Sequence, residues 1–335
     1  MKKIGILFGR ENTFPFAVIE RINSKKVKGI VAEQVIIEKC QQAAPTEYAV
    51  VLDRISQDVP FYRAWLKNAA LNGTAVVNNP FWWSADEKFF NNCIAEKVGV
   101  AVPKTVLLPS NQRPPETEAD SFRNLSFPLA WEEMFEYVGW PAFFKPFSGG
   151  GWKNVFKIEN LHEFFHVYNQ TGQLTMMLQE NINFDDYFRC YCLGGNNVHV
   201  MRYAPAEPHH RRYVQEDVPI DKDLHALVVD GVIKLNQALG YDFNTVEFAM
   251  RDGIAYAIDF CNPAPDADIY SVGEKNFEWI VENAANMLIE KAQKHEEGKM
   301  NLTWGTFMQN SVEGKAMAAS TSTAKTATRR KVAAK

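Results

Sequence analysis

A lysine followed by glycines is the first group of residues whose types suit a chemical role. The segment reads KPFSGGGWK and runs from Lys145 to Lys153. A lysine at the end of a strand supplies a point charge, and glycines let backbone N–H groups approach oxygen atoms closely. The segment therefore suits a polyphosphate, although a flexible hairpin loop would have the same composition.

Two carboxylates and an amide form a second group. Glu247 and Asp259 fall on the two arms of a predicted hairpin that turns at Asp252-Gly253, and Asn262 follows. Hard oxygen ligands of this kind suit Mg²⁺. An acidic strand pair that caps a sheet is the alternative. Both acids stand among apolar residues, in NTVEFAM and YAIDFCNP, where a carboxylate without a cation is costly, and this favours a metal role.

Cationic side chains on the middle strands form a third group: Arg189, Arg202, His209, His210, Arg211 and Arg212. Arginine forks suit a γ-phosphate or a substrate carboxylate. Surface salt bridges are the favoured interpretation for Arg211 and Arg212, whereas Arg202 is open to both. The paired histidines lack further ligands at metal-binding spacing, so we expect loop residues and no zinc site.

The elements that must position these residues change in type along the chain. Four strand-like segments, separated by helical patterns, predict a parallel, Rossmann-like sheet: Lys3–Gly9, Gly29–Ile37, Glu47–Leu52 and Thr74–Asn78. From Trp140 onward, paired strands and helices predict antiparallel hairpins. The first strand is followed by Gly9-Arg10-Glu11-Asn12 and not by GxGxxG, so no nucleotide site is assigned there.

Composition excludes several classes of protein. The 335 residues carry a formal net charge of −4, but six basic and no acidic residues follow from Lys315 on, which leaves 30 basic and 40 acidic residues in the body. An acidic body argues against nucleic-acid binding. The absence of an 18-residue apolar run argues against a membrane span. Five cysteines without CxxC spacing fit a reducing compartment, and we expect a cytoplasmic protein.

Taken in order, four segments resemble the ATP-grasp superfamily over about Asp86 to Asn262. They are DEKFFNNCIAEKVGVAVPKT (Asp86–Thr105), WPAFFKPFSGGGWKNVFKI (Trp140–Ile158), LQENI (Leu178–Ile182) and the closing hairpin VEF…AIDFCNP. Each segment is weak alone, but the four occur in the family's order and spacing. One departure is that Phe260 stands where the family's Glu-x-Asn pattern has its carboxylate.

The resemblance implies an α/β (ATP-grasp) fold in which a Rossmann-like parallel-sheet domain precedes two α+β lobes that clamp ATP. The implied domains are a pre-ATP-grasp domain at 1–85 and an ATP-grasp domain at 86–300. The latter divides into 86–183, with an insertion near 108–125, and a catalytic and metal-binding lobe at 184–300. We expect a tail at 301–335 that is disordered from about 315, because it lacks a periodic apolar pattern.

The resemblance also implies a role for individual residues. Lys88 and Lys145 would hold the phosphates of ATP. The loop that closes over them would consist of Ser148, Gly149, Gly150 and Gly151. Adenine would be received by Gln179, Glu180, Asn181 and Ile182, and ribose by Asp186. Magnesium would be held by Glu247, Asp259 and Asn262, and Arg202 would neutralise the γ-phosphate, acting in catalysis together with Lys145.

The implied activity is ATP- and Mg²⁺-dependent ligation of a small-molecule carboxylate to an amine, on an amino acid or small peptide. A small-molecule kinase of the same fold and a nucleotide-binding scaffold without turnover are the alternatives. Residues that select the substrate are expected in Gly9–Pro15, in the 108–125 insertion and in Ala204–Val214. A homo-oligomer is left open.

Overall fold

The computed structural model describes residues 1–81, 87–150, 152–208, 211–215 and 219–299. The helices are α1 (Phe14–Ser24), α2 (Pro60–Leu71), α3 (Lys88–Lys97), α4 (Trp131–Val138), α5 (Leu161–Tyr168), α6 (Lys222–Leu239), α7 (Ile269–Val272) and α8 (Glu274–Lys294). The strands are β1 (Lys2–Leu7), β2 (Ile30–Gln34), β3 (Tyr48–Asp53), β4 (Ala75–Val77), β5 (Thr105–Leu108), β6 (Ala142–Pro146), β7 (Phe156–Ile158), β8 (Met176–Glu180), β9 (Asp186–Leu193), β10 (Asn197–Arg202), β11 (Phe243–Arg251) and β12 (Ile254–Asp259).

The N-terminal sheet is parallel, as predicted. Its strand order is β2-β1-β3-β4, and β1 pairs with both β2 and β3 in parallel. The central strands are buried on both faces, because Val50 and Val51, successive residues of β3 that point to opposite faces, are both fully buried. Burial on both faces is typical of parallel strands covered by helices. Because β1 and β3 run parallel, their carboxyl ends lie at the same edge of the sheet.

A second sheet carries the predicted glycine-rich hairpin. Its order is β5-β8-β6-β7, and β6 pairs antiparallel with β7 and with β8. An aromatic core covers one face, in which Phe144 of β6 meets Phe164 of α5 with ring centroids 5.2 Å apart. This packing fixes β6, and therefore the direction in which Lys145 leaves the strand.

The third sheet has the order β10-β9-β11-β12, and β9 pairs antiparallel with β10. The predicted turn between β11 and β12 forms at Asp252 and Gly253, both with positive φ (53° and 73°), which the Asp-Gly pair tolerates. Helix α6 begins after Asp221, whose side chain caps it, and ends at Gly240 in the left-handed region.

The chain divides into two compact units. The first contains residues 1–83, 186–248 and the part from 259 on, and the second contains 84–185 and 249–258. The domain boundaries expected from the sequence stay predictions, and the expected disordered tail lies outside the described residues. The 108–125 segment includes a short 3₁₀ helix, Ala119–Phe122. No helix in the described ranges is long and apolar enough to cross a membrane.

Candidate active site

Lys145, near the end of β6, is held by a polar chain across the second sheet. Its Nζ donates to Oε1 of Gln179 on β8 at 2.7 Å, and Nε2 of Gln179 donates to Oγ1 of Thr105 at 3.0 Å. Gln179 is only 3% exposed. Its amide therefore contacts Lys145 and Thr105, and the assignment of Gln179 to adenine made from the resemblance stays a prediction.

Lys88 lies near the same hairpin. It is the first residue of α3, and its backbone N–H donates to the carbonyl oxygen of Phe147 at 2.6 Å, two residues after Lys145. Ser148, Gly149 and Gly150 then follow as an exposed loop, with Gly149 at φ +95°. The chain thus brings two lysines and a glycine loop to one end of the hairpin. Gly151 lies outside the described residues.

The end of β8 and the segment after it contain the residues expected to receive adenine. The Glu180 carboxylate pairs with Arg251 at 2.8 Å and accepts from the backbone N–H of Lys104 at 3.2 Å. The backbone N–H of Asn181 donates to the carbonyl of Pro141 at 3.3 Å, and Ile182 is buried. An adenine that used the Asn181 N–H would have to replace this bond, so Ile182 is the better placed of the two.

In the other unit, Glu247 on β11 is surrounded by partners from β9. Its Oε2 accepts from the Tyr187 hydroxyl at 2.6 Å, and its Oε1 accepts from Nη1 of Arg189. Burial works against the charged form of Arg189, but the negative charge of Glu247 prevails, and the pKa of Arg189 is raised. Burial, together with the Glu247 charge, raises the pKa of the Tyr187 phenol well above its usual value.

This pairing corrects the argument made from the sequence. Glu247 was expected to need a cation because of its apolar neighbours, but Arg189 supplies a cation from within the chain. The missed signal is the alternation on β9, where Tyr187 and Arg189 share one face of the strand. The apolar surroundings of Glu247 are therefore no evidence for a metal.

Asp259 and Asn262 follow at the end of β12. The charge of Asp259 contributes to raising the pKa of Tyr187, after burial and Glu247, so both carboxylates act on one phenol. Phe260, between them, is 3% exposed. Asn244 fixes this segment, because its amide donates to the Phe260 carbonyl at 2.8 Å and accepts from the Asn262 N–H at 2.7 Å.

Asp186 and Arg202, assigned to ribose and to the γ-phosphate, form an ion pair with each other. Arg202 lies at the end of β10, over the ring of Phe188, and also donates to the carbonyl of Pro219 at 3.3 Å. The side chain of Arg202 is 22% exposed and that of Asp186 is 35% exposed. A phosphate at Arg202 would therefore compete with the carboxylate of Asp186.

The residues expected to hold magnesium are two carboxylates and an amide. Glu247 accepts hydrogen bonds from Tyr187 and Arg189, and a carboxylate has roughly four acceptor positions in all. The Asn262 amide nitrogen donates to the Thr245 carbonyl at 3.1 Å, so the amide oxygen is the atom that would serve as a ligand. Two carboxylates and an amide oxygen fit Mg²⁺.

Among the residues that the structure describes, no cluster of three or more His, Cys, Asp or Glu side chains could hold a metal ion. His209 and His210, which we expected to be loop residues, lie outside the described residues.

The protein is similar in structure to several proteins of known structure. No protein-family model and no curated protein matches the sequence. Three of the similar solved structures are a RimK domain ATP-grasp protein from Sphaerobacter thermophilus DSM 20745 (15% identity, TM-score 0.60), a D-alanine–D-alanine ligase from Bacillus anthracis complexed with ATP (15%, 0.58), and the ATP-grasp ligase PsnB complexed with minimal precursor, Mg and ADP (16%, 0.58).

The alignments extend over most of both partners. They cover 86%, 88% and 86% of this chain, and 99%, 98% and 97% of the three structures. At such identities the likeness concerns the fold, and it agrees with the parallel sheet and the two antiparallel sheets described above. The resemblance drawn from the sequence motifs is thereby confirmed at the level of the fold: this chain has the ATP-grasp fold.

Proposed function

We propose that the protein is an ATP- and Mg²⁺-dependent ligase that joins a carboxylate to an amine. The observation that carries the proposal is the placement of Lys88 and Lys145 at the glycine-loop end of one hairpin, on a fold shared with ligases of this type. Two lysines beside a loop of accessible N–H groups suit the phosphates of ATP.

Each candidate site residue would have its own role in binding ATP. Lys88, Lys145 and the Ser148–Gly151 loop hold the phosphates, and Glu180, Asn181 and Ile182 border adenine. Asp186 is assigned to ribose, and Arg202 to the charge on the γ-phosphate. A carboxylate oxygen attacks the γ-phosphorus and ADP leaves, which gives an acyl-phosphate that the amine then cleaves with release of phosphate. Positioning and charge neutralisation account for this chemistry without a nucleophilic side chain.

The proposed activity also requires a magnesium ion. Glu247, Asp259 and Asn262 would hold it, and it would supply positive charge to the phosphate oxygens of ATP. Glu247 is already paired with Arg189, so Asp259 is the ligand whose substitution tests the metal without breaking that ion pair.

This assignment predicts that Mg²⁺ and ATP together raise the melting temperature by more than the sum of their separate effects. Asp259→Asn should remove most of this synergy in a thermal-shift titration, because it deletes a charged ligand while keeping its volume. Asp230→Asn, on the exposed face of α6, is the matched control and should retain it. Full synergy in Asp259→Asn would show that the ion is held elsewhere.

The proposed activity is tested by measuring ADP formation with a panel of small carboxylic acids and amino acids, with and without amines. We expect ADP release that requires both an acid and an amine. A stable phosphorylated product without an amine requirement would indicate a kinase instead. Tight ATP binding without ADP release in any mixture would indicate a scaffold.

A further inference from the structure

A cavity of about 940 Å³ opens within the first unit, and its lining includes residues of the Gly9–Pro15 segment but none of the residues assigned to ATP or Mg²⁺. It is lined by the loop after β1, by the loop after β3 and by residues 264–271. Since β1 and β3 are parallel neighbours, the two loops leave the same edge of the sheet. The crevice at the carboxyl ends of parallel strands is where open α/β sheets bind ligands.

A buried arginine in the cavity wall, Arg54, has a side-chain N–H donor with no acceptor among the described residues. The Arg54 side chain is 1% exposed and lies between the rings of Phe14 and Phe243, 5.0 and 5.2 Å from their centroids. Its Nε and Nη2 donate to the Glu11 carboxylate, and Nη2 also donates to the carbonyl of Pro265. Nη1 is buried and has no acceptor among the described residues. Such a donor is costly unless an acceptor arrives, and a carboxylate is the strongest candidate.

The remaining charges of the lining are mostly negative. Besides the Glu11–Arg54 ion pair, the lining carries one cation and three anions: Arg10, Asp58, Asp266 and Asp268. Tyr270, which also lines the cavity, is 87% exposed. Its ring is accessible and can lie against an ammonium group. The wall therefore offers one position for an anion and several for cations.

We propose that this cavity binds an amino acid with a cationic side chain. Its carboxylate would meet the unsatisfied donor of Arg54, and its ammonium groups would face the aspartates. This inference rests on the proposed ligase function and narrows its substrate class to basic amino acids. The acidic excess excludes glutamate and aspartate as preferred ligands, because they would add negative charge to a wall that is already negative.

Calorimetry on the full chain without nucleotide tests the proposal with ligands that differ by one group. L-Lysine should bind at least about tenfold more tightly than L-norleucine, which lacks the ε-ammonium, or cadaverine, which lacks the carboxylate. L-Glutamate should bind more weakly still. Absence of lysine binding at millimolar concentration, or equal affinity for lysine and norleucine, would overturn the proposal.

Protein variants locate the ligand. Asp58 is exposed, so Asp58→Asn should fold normally and weaken lysine binding severalfold while leaving norleucine unchanged. Asp120→Asn, on the surface of the other unit, is the control and should change neither. Unchanged lysine affinity in Asp58→Asn and in Asp266→Asn together would show that lysine binds elsewhere.

Failure of this inference can be distinguished from failure of the proposed ligase function. ADP formation with another acid and amine, without lysine binding, would contradict the cavity assignment alone. Lysine binding that depends on Asp58, without ADP formation in any mixture, would support the cavity and contradict the ligase.

Discussion

ATP binding should weaken by about 10- to 100-fold when Lys145 is replaced by methionine, because a charge-assisted contact to phosphate is lost. Methionine keeps most of the length of the side chain and removes the charge and the hydrogen-bond donor. Loss of the Nζ bond also frees the Gln179 amide, which keeps its bond to Thr105 and so limits the disturbance of the sheet. Equilibrium titration of ATP, with melting temperature as a check on folding, measures the effect.

A neighbouring lysine provides the control for this prediction. Lys157 lies on β7 of the same sheet and pairs with Glu159 at 3.0 Å, and its side chain is half exposed. Lys157→Met removes an equal charge away from the proposed phosphate position and should leave ATP affinity within about twofold, since exposed ion pairs contribute little. An equal loss of affinity in both variants would mean that general charge, and not a contact at Lys145, attracts the nucleotide.

The second large effect concerns stability. Glu247→Leu should lower the free energy of unfolding by about 3–5 kcal/mol, because it leaves the charge of Arg189 buried without its partner. Both side chains are only 12% exposed, so water cannot take the place of the carboxylate. Denaturant unfolding, with the midpoint and slope compared to those of the unaltered protein, measures the loss.

A combined variant separates the ion pair from the volume of its members. Tyr187→Phe, Arg189→Met and Glu247→Leu together remove the hydroxyl, the cation and the carboxylate, and should recover most of the lost stability. If the triple variant is as unstable as Glu247→Leu alone, the packing of Glu247 matters and its charge does not. The same pairing makes Asp259 the better position for the magnesium test, because Asp259→Asn leaves Arg189 paired.

Much of the fold follows from local patterns. The strands of the parallel sheet are short, apolar and bounded by turn residues, and Asp252-Gly253 determines the β11–β12 turn through its positive φ angles. Lys145 could be singled out because a lysine before glycines is a local signal. Structure at the fold level was therefore accessible from the sequence.

The partners of the candidate site residues were not accessible in the same way. Arg189 meets Glu247 only through the packing of β9 beside β11, 58 residues apart in the chain, and Asp186 meets Arg202 through the β9–β10 hairpin. The cavity depends on contacts over longer separations, such as that of Arg54 with the carbonyl of Pro265. Such contacts depend on strand register and loop packing, which a local pattern does not specify.

The central claim is that ATP activates a carboxylate, and isotope transfer tests it most directly. The acid that supports ADP formation is supplied with ¹⁸O in its carboxylate, and the inorganic phosphate released with the amine present is analysed by mass spectrometry. Attack of the carboxylate on the γ-phosphorus predicts that each phosphate carries one ¹⁸O atom from the acid. Unlabelled phosphate would contradict the account, because it would mean that water and not the carboxylate attacks ATP.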